Sequence, residues 1–200
     1  MRLLLLTDRA QLPLGRGLES TVLACLDAGL THVVLRELDL PDAQRAALAG
    51  ALADAGATVI AAHRPLAGAA GLHLPAAGAC HAVSGHLARC CNAAEGAVTP
   101  RYKGRSCHSR AEVEAAAVEG FDYVTLGPFA ATASKPGYGP PLPPQEYADL
   151  PLPTYVLGGI DPDNAAAALA AGAHGVAVMG AVMRAASPAA VVRELLAVLG

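Results

Sequence analysis

Residues 157–160 read Leu-Gly-Gly-Ile, after the strand formers of "PTYV" and before an alanine-rich helical run. Two adjacent glycines there let a backbone approach something with no Cβ in the way. Val178-Met179-Gly180 repeats the arrangement one unit later. Two glycine-marked strand ends, each feeding a helix, predict one site built from both. Backbone N–H groups and a helix N-terminus can receive a phosphate there without any basic side chain. The competing reading is tight packing of small residues at the rim. Two histidines follow other strand-like runs, His63 after "TVIAA" and His108 after "KGRSC". A histidine titrates near neutral pH, so it can both take and give a proton. Otherwise His63 is a surface-loop residue and His108 a strand end bonded to the backbone or to Ser106. Arg36, in "HVVLRE", can hold a carboxylate through two parallel hydrogen bonds. Its alternative is an ion pair with Glu37 or Asp39; adjacent strand residues face opposite ways, which disfavours Glu37.

The elements that must position these residues alternate regularly. Strand-like runs fall at 3–7, 32–37, 58–62, 71–74, 103–108, 122–127, 154–159 and 174–180. Helical patterns occupy 17–29, 41–55 and 109–119, the last opened by Ser109 with Glu112 three residues on, a capping box. Asp161 and Pro162 predict a helix over 162–171, and Ser187-Pro188 opens the final one. Eight β-then-α units predict a parallel sheet wrapped by helices, closed as a single (β/α)8 TIM barrel spanning 1–200. An open doubly wound sheet would place its glycine-rich turn after the first strand. Here the glycines follow strands seven and eight, where barrels of this type often seat phosphate.

Composition sets outer bounds. The chain has 200 residues, 54% hydrophobic and 16% charged, with a formal net charge of −3. That suffices for one large core. No basic stripe predicts nucleic-acid binding, and no apolar run of membrane length predicts a span. The apolar stretch of "MRLLLLTDRA" is too short for a signal-peptide core, so a cytoplasmic protein is expected. Five cysteines, an odd number, read as reduced thiols. Cys25 fits a helix core. Cys80, Cys90 and Cys91 share a stretch with His73, His81 and His86, but CxxC and HxxxH spacings are absent, so no metal site is predicted. The alanine-rich helical exterior offers flat surfaces that suit a homodimer.

Longer segments carry a family resemblance. "GRSCHSRAEVEAAAVEGFDYVTLGPFAATASKPGYGPPL" (104–142) and the "GGI…NAAAALAAGAHGVAVMGAV" stretch, with "LLLTDR" and "VVLRELDL", resemble the thiamine phosphate synthase/TenI superfamily. The likeness spans nearly the whole chain. It implies a small (β/α)8 barrel that binds a thiazole phosphate, with the phosphate on Gly158, Gly159, Met179 and Gly180. Two activities are implied. A synthase couples a pyrimidine diphosphate to thiazole phosphate with Mg²⁺; a TenI-like enzyme aromatises a thiazole phosphate carboxylate tautomer by moving a proton.

Three departures bear on the choice. The synthase "NDR" reads Ala62-His63-Arg64, "HLGQxD" reads His73-Leu74-Pro75-Ala76-Ala77-Gly78, and "QLREK" reads Val34-Leu35-Arg36-Glu37-Leu38. The lost acids matter because magnesium prefers hard oxygen ligands. "HLP" and "GRSxHS" are similar to the TenI-like branch. Yet that branch's "GHxF" histidine is Pro128 here, in Gly127-Pro128-Phe129, as in synthases. Proton transfer then falls to His108 or His63. Thr132, Ser134 and Lys135, in the loop 130–139, match the family's Thr-x-Thr/Ser-Lys pattern. The resemblance implies a closing lid whose lysine meets a diphosphate or carboxylate and excludes water; the alternative is an ordinary loop with a solvated lysine. Arg36, Ser106, Thr132 and Ser134 are the implied substrate contacts. The expectation is a thiazole phosphate tautomerase without a cofactor. A Mg²⁺-dependent synthase and a non-catalytic thiazole phosphate binder are the alternatives.

Overall fold

The computed structural model describes residues 1–76, 100–131 and 140–200. Eight parallel strands close into a barrel in sequence order. They are β1 (Leu3–Leu6), β2 (His32–Leu35), β3 (Thr58–Ala62), β4 (Gly71–Leu74), β5 (Tyr102–Cys107), β6 (Tyr123–Leu126), β7 (Thr154–Leu157) and β8 (Gly175–Val178). The described helices are α1 (Leu18–Asp27), α2 (Asp42–Asp54), α3 (Arg110–Val118), α4 (Ala165–Ala170), α5 (Gly180–Met183) and α6 (Pro188–Leu199). A 3-10 turn, Arg9–Gln11, follows β1.

Strands buried on both faces need apolar side chains at every position. β1 is four leucines, all buried. Alternation sends them two ways. Leu4 and Leu6 join Val34, Ile60, Ala62, Tyr123, Tyr155 and Ala177 in one cluster, the barrel interior. Leu3 and Leu5 pack with helix residues such as Val22, Leu52 and Leu195 in the outer layer. The barrel closes where β1 pairs β8, with Leu3 opposite Val176 and Leu5 opposite Val178.

Two expectations change in detail. Six strands stop earlier than the sequence patterns, and in four of them this leaves Arg36, His108, Gly158, Gly159, Met179 and Gly180 just past strand ends rather than in them. The helix expected over 162–171 begins at Ala165, and residues 162–164 form a turn. The reason is side-chain competition. Asp161 Oδ1 accepts from the Asp163 and Asn164 N–H groups (3.1 and 3.2 Å), and Asn164 Oδ1 accepts from Asp161 N–H (3.1 Å). Such local bonds offer the backbone an alternative to a first helical turn.

The β1–β8 seam leaves no room for a side chain at Gly175, whose added Cβ would overlap the Arg2 carbonyl. Gly175→Ala is expected to lower stability by about 1–3 kcal/mol, as overpacking does. Urea unfolding of both proteins checks it.

Candidate active site

A cavity of about 350 Å³ opens at the C-terminal end of the barrel. Its wall brings together Arg36, His63, Ser106 and His108. It also includes Gly158, Gly159, Met179 and Gly180. Every described residue that the sequence assigns to the site therefore meets in one cavity. Thr132, Ser134 and Lys135 lie outside the described residues.

Arg36 is held by its surroundings. Its backbone N–H donates to Thr7 Oγ1 (3.0 Å), Nη1 donates to Met179 Sδ (2.7 Å), and the same nitrogen stands 3.9 Å from Asp8 Oδ2. The ion pair with Glu37 or Asp39 considered for it does not form. Arg9 takes both acids instead. Its backbone N–H and Nη1 reach the buried Glu37 carboxylate at 3.2–3.3 Å, and Nη1 and Nη2 grip Asp39 at 2.6 and 2.5 Å. That fixes the turn after β1 to the turn after β2. It leaves Arg36 directed at the cavity wall.

His63 sits in the left-handed region, with φ of 65°. Desolvation, then the charges of Arg36, Arg45 and Arg64, lower its pKa below the ordinary value. All four causes favour the neutral ring, the form that accepts a proton. Arg45, which the sequence reading passed over, is fully buried on α2. Its Nη2 donates to the carbonyls of Leu35 (3.4 Å) and Ala62 (3.2 Å). Those residues immediately precede Arg36 and His63, so one guanidinium ties together the strand ends that present both. A lone arginine in an alanine-rich helix carries no sequence signal for that role.

Ser106 belongs to a buried hydrogen-bond chain. His73 Nε2 bonds Ser106 Oγ (3.0 Å) and its Nδ1 bonds the Tyr123 hydroxyl (3.0 Å). Thr125 Oγ1 approaches Ser106 Oγ at 3.5 Å. His73 is thus an interior barrel residue with both ring nitrogens bonded. Cys80, His81, His86, Cys90 and Cys91 lie outside the described residues. Among the described residues no group of three His, Cys, Asp or Glu could hold a metal ion. Desolvation, then the charges of His63 and Arg36, push the His73 pKa down to about 3. A ring kept neutral donates through one nitrogen and accepts through the other.

His108 Nδ1 faces the Gly127 carbonyl at 3.3 Å and must donate to it. In the neutral ring Nε2 then carries the lone pair. The backbone contact considered for His108 is real, but it orients the ring at the cavity without removing it. The capping box at α3 is shifted. Ser109 Oγ accepts from Glu112 N–H (3.3 Å), while Glu112 Oε2 accepts from the His108 N–H (2.5 Å), not from Ser109. The α3 cap therefore also anchors His108.

The glycine pair has a packing cause as well as a ligand reading. Gly158 and Gly159 have φ of 98° and 66°. A Cβ on Gly159 would lie 2.6 Å from the Ala131 carbonyl oxygen. Ala130 N–H donates to Gly158 O (2.9 Å), and Asn164 Nδ2 to Gly159 O (2.7 Å). With those carbonyls engaged, an anion here would be met by backbone amides. α5 is a single four-residue turn, so the cradle consists of loop amides more than of a helix end.

The family model described as thiamine monophosphate synthase matches residues 3–182. The chain belongs to the thiamine phosphate synthase/TenI family. A relative from Geobacter sulfurreducens, named putative thiamine-phosphate synthase, is 38% identical and covers 98% of this chain and 93% of its own. A Moorella thermoacetica thiamine-phosphate synthase is 36% identical over 90% of this chain and 88% of its own. A solved thiamine phosphate pyrophosphorylase from Pyrococcus furiosus shares the fold, with a TM-score of 0.79 at 22% identity over 99% of this chain and 95% of that one. Membership places the chain in thiamine biosynthesis.

The family's synthases imply Mg²⁺, and the described donor set does not fit one. Among the described residues no carboxylate lines the cavity. The acids nearest the mouth are committed, Glu37 and Asp39 to Arg9, Asp42 to Arg64, and Asp8 to Gln11.

His73 makes stability depend on pH. Its folded pKa lies below the unfolded value of about 6.5, so between the two the unfolded chain binds the extra proton. Stability then falls as pH falls from about 6.5 toward 3. From pH 7 to 5 wild type is expected to lose about 2 kcal/mol more than His73→Gln. Urea titrations of both at the two pH values measure the difference.

Proposed function

We propose that this chain is a thiamine phosphate synthase, joining a pyrimidine diphosphate to thiazole phosphate with release of diphosphate. The observation that carries the reading is likeness along nearly the whole chain to relatives of that name. It takes precedence over the tautomerase expected from the three motif departures. Pro128, where the tautomerases have a histidine, points the same way.

The glycine-lined end of the cavity takes the thiazole phosphate through backbone amides. Joining the rings forms a C–N bond and breaks a C–O bond, so negative charge accumulates on the departing diphosphate. Arg36 meets that charge from the cavity wall, and the family's Thr-x-Thr/Ser-Lys pattern offers Lys135 as a second cation. Ser106, its hydroxyl oriented by a neutral His73, bonds the pyrimidine. Because the described residues do not fit magnesium, the work of charge neutralisation is assigned to these cations.

A second reading rests on a separate observation. Two histidines, His63 and His108, line a wall on which no described residue is a carboxylate, which suits a proton shift in a thiazole phosphate carboxylate tautomer.

One assay separates the two. Hydroxymethylpyrimidine diphosphate and thiazole phosphate are incubated with the protein, with Mg²⁺ and with EDTA, and thiamine phosphate is read by fluorescence after oxidation. Thiamine phosphate is expected, and Arg36→Ala is expected to cut kcat/KM about 10–100-fold, the loss of a charge-assisted hydrogen bond. No product, with tautomer conversion that His63→Ala or His108→Ala abolishes, would instead establish the second reading.

A further inference from the structure

We propose that Arg184 is a phosphate-binding residue, a side-chain cation placed at the glycine-lined end of the cavity to hold a phosphate monoester dianion. The inference deepens the phosphate reading of this site and rests on it.

Arg184 follows α5 and forms part of the cavity wall. Its guanidinium lies against Gly180, where an added Cβ would overlap Nη1, Nη2 and Cζ. Gly180 is therefore the space that the guanidinium occupies. A side chain at that position would displace the guanidinium from its present seat.

The guanidinium is also held. Its Nη1 donates to Gln11 Oε1, and Gln11 Nε2 donates to Asp8 Oδ2 (2.7 Å). The same Asp8 oxygen stands 3.9 Å from Arg36 Nη1. The turn after β1 thus links two arginines through one carboxylate and one amide. Arg36 reaches Met179 and Arg184 reaches Gly180, so the two guanidiniums contact consecutive residues of the β8 end. A guanidinium presents several N–H donors in a planar fork that matches phosphate oxygens.

Calorimetric titrations test the assignment with three probes: 4-methyl-5-(2-hydroxyethyl)thiazole phosphate, the unphosphorylated alcohol, and inorganic phosphate. Arg184→Ala and Arg184→Gln are expected to weaken thiazole phosphate binding about 10–100-fold and leave the alcohol unaffected. Gly180→Ala, which displaces the guanidinium, should weaken it similarly. Adding Arg184→Ala to Gly180→Ala should then cost nothing more, as coupled residues do. Melting temperatures identify any variant that fails to fold; the arginine is exposed, so both substitutions at 184 should fold. Equal thiazole phosphate affinity in wild type and both Arg184 variants would overturn the proposal, as would an equal loss for the alcohol. If wild type binds inorganic phosphate but not the thiazole phosphate, the functional reading fails, and loss of phosphate binding in Arg184→Ala still supports the role of the arginine. If wild type binds none of the phosphates, the subsite and the arginine's role fall together.

Discussion

A parallel sheet has two edges unless its first strand meets its last. In this chain β1 pairs β8, and from that seam the rest follows. Closure satisfies every strand's backbone partners and gathers all eight C-terminal ends around one opening. Residues far apart in sequence then become neighbours. Arg36 touches Met179 across 143 positions of chain, and His73 bonds Ser106 across 33. The second contact needs only the direct pairing of β4 with β5; the first needs closure, which sets β8 and β2 on either side of β1.

The electrostatics of the opening follow a consistent division. Glu37, Asp39 and Asp42 are bound to arginines outside the cavity, Asp8 bonds Gln11 and stands 3.9 Å from Arg36, and the described cavity wall carries cations and imidazoles. Arg9 alone absorbs Glu37 and Asp39. Desolvation and surrounding guanidiniums hold His63 and His73 toward the neutral form. A site arranged this way attracts anions and keeps the His63 ring neutral.

Support for the site comes from residues that never line it. Arg45 ties the carbonyls at the ends of β2 and β3. Glu112 holds the backbone of His108, and Asn164 holds Gly159. Each is an ordinary polar residue in a helix or cap, and each bonds the backbone beside a cavity residue. Precision at the mouth comes from these short links, because loops alone place side chains loosely.

The sequence by itself determined the barrel, its strand order and the position of the cavity residues along the chain. Those are local properties. Apolar runs of strand length, glycines past strand ends and Ser109 as a cap each express the preference of a few adjacent residues. Element ends were less legible, as at Asp161 and Asn164, where side chains compete with the first helical turn. Only the tertiary structure decided the partners. The pairing of Glu37 with Arg9 instead of Arg36 and the interior position of His73 depend on which strands lie side by side, and the link from Arg184 to Gln11 depends on the closure of β8 onto β1. Nothing in a local window encodes a contact between residues 8, 11, 36 and 184. It arises when β1, β2 and β8 become neighbours in the barrel.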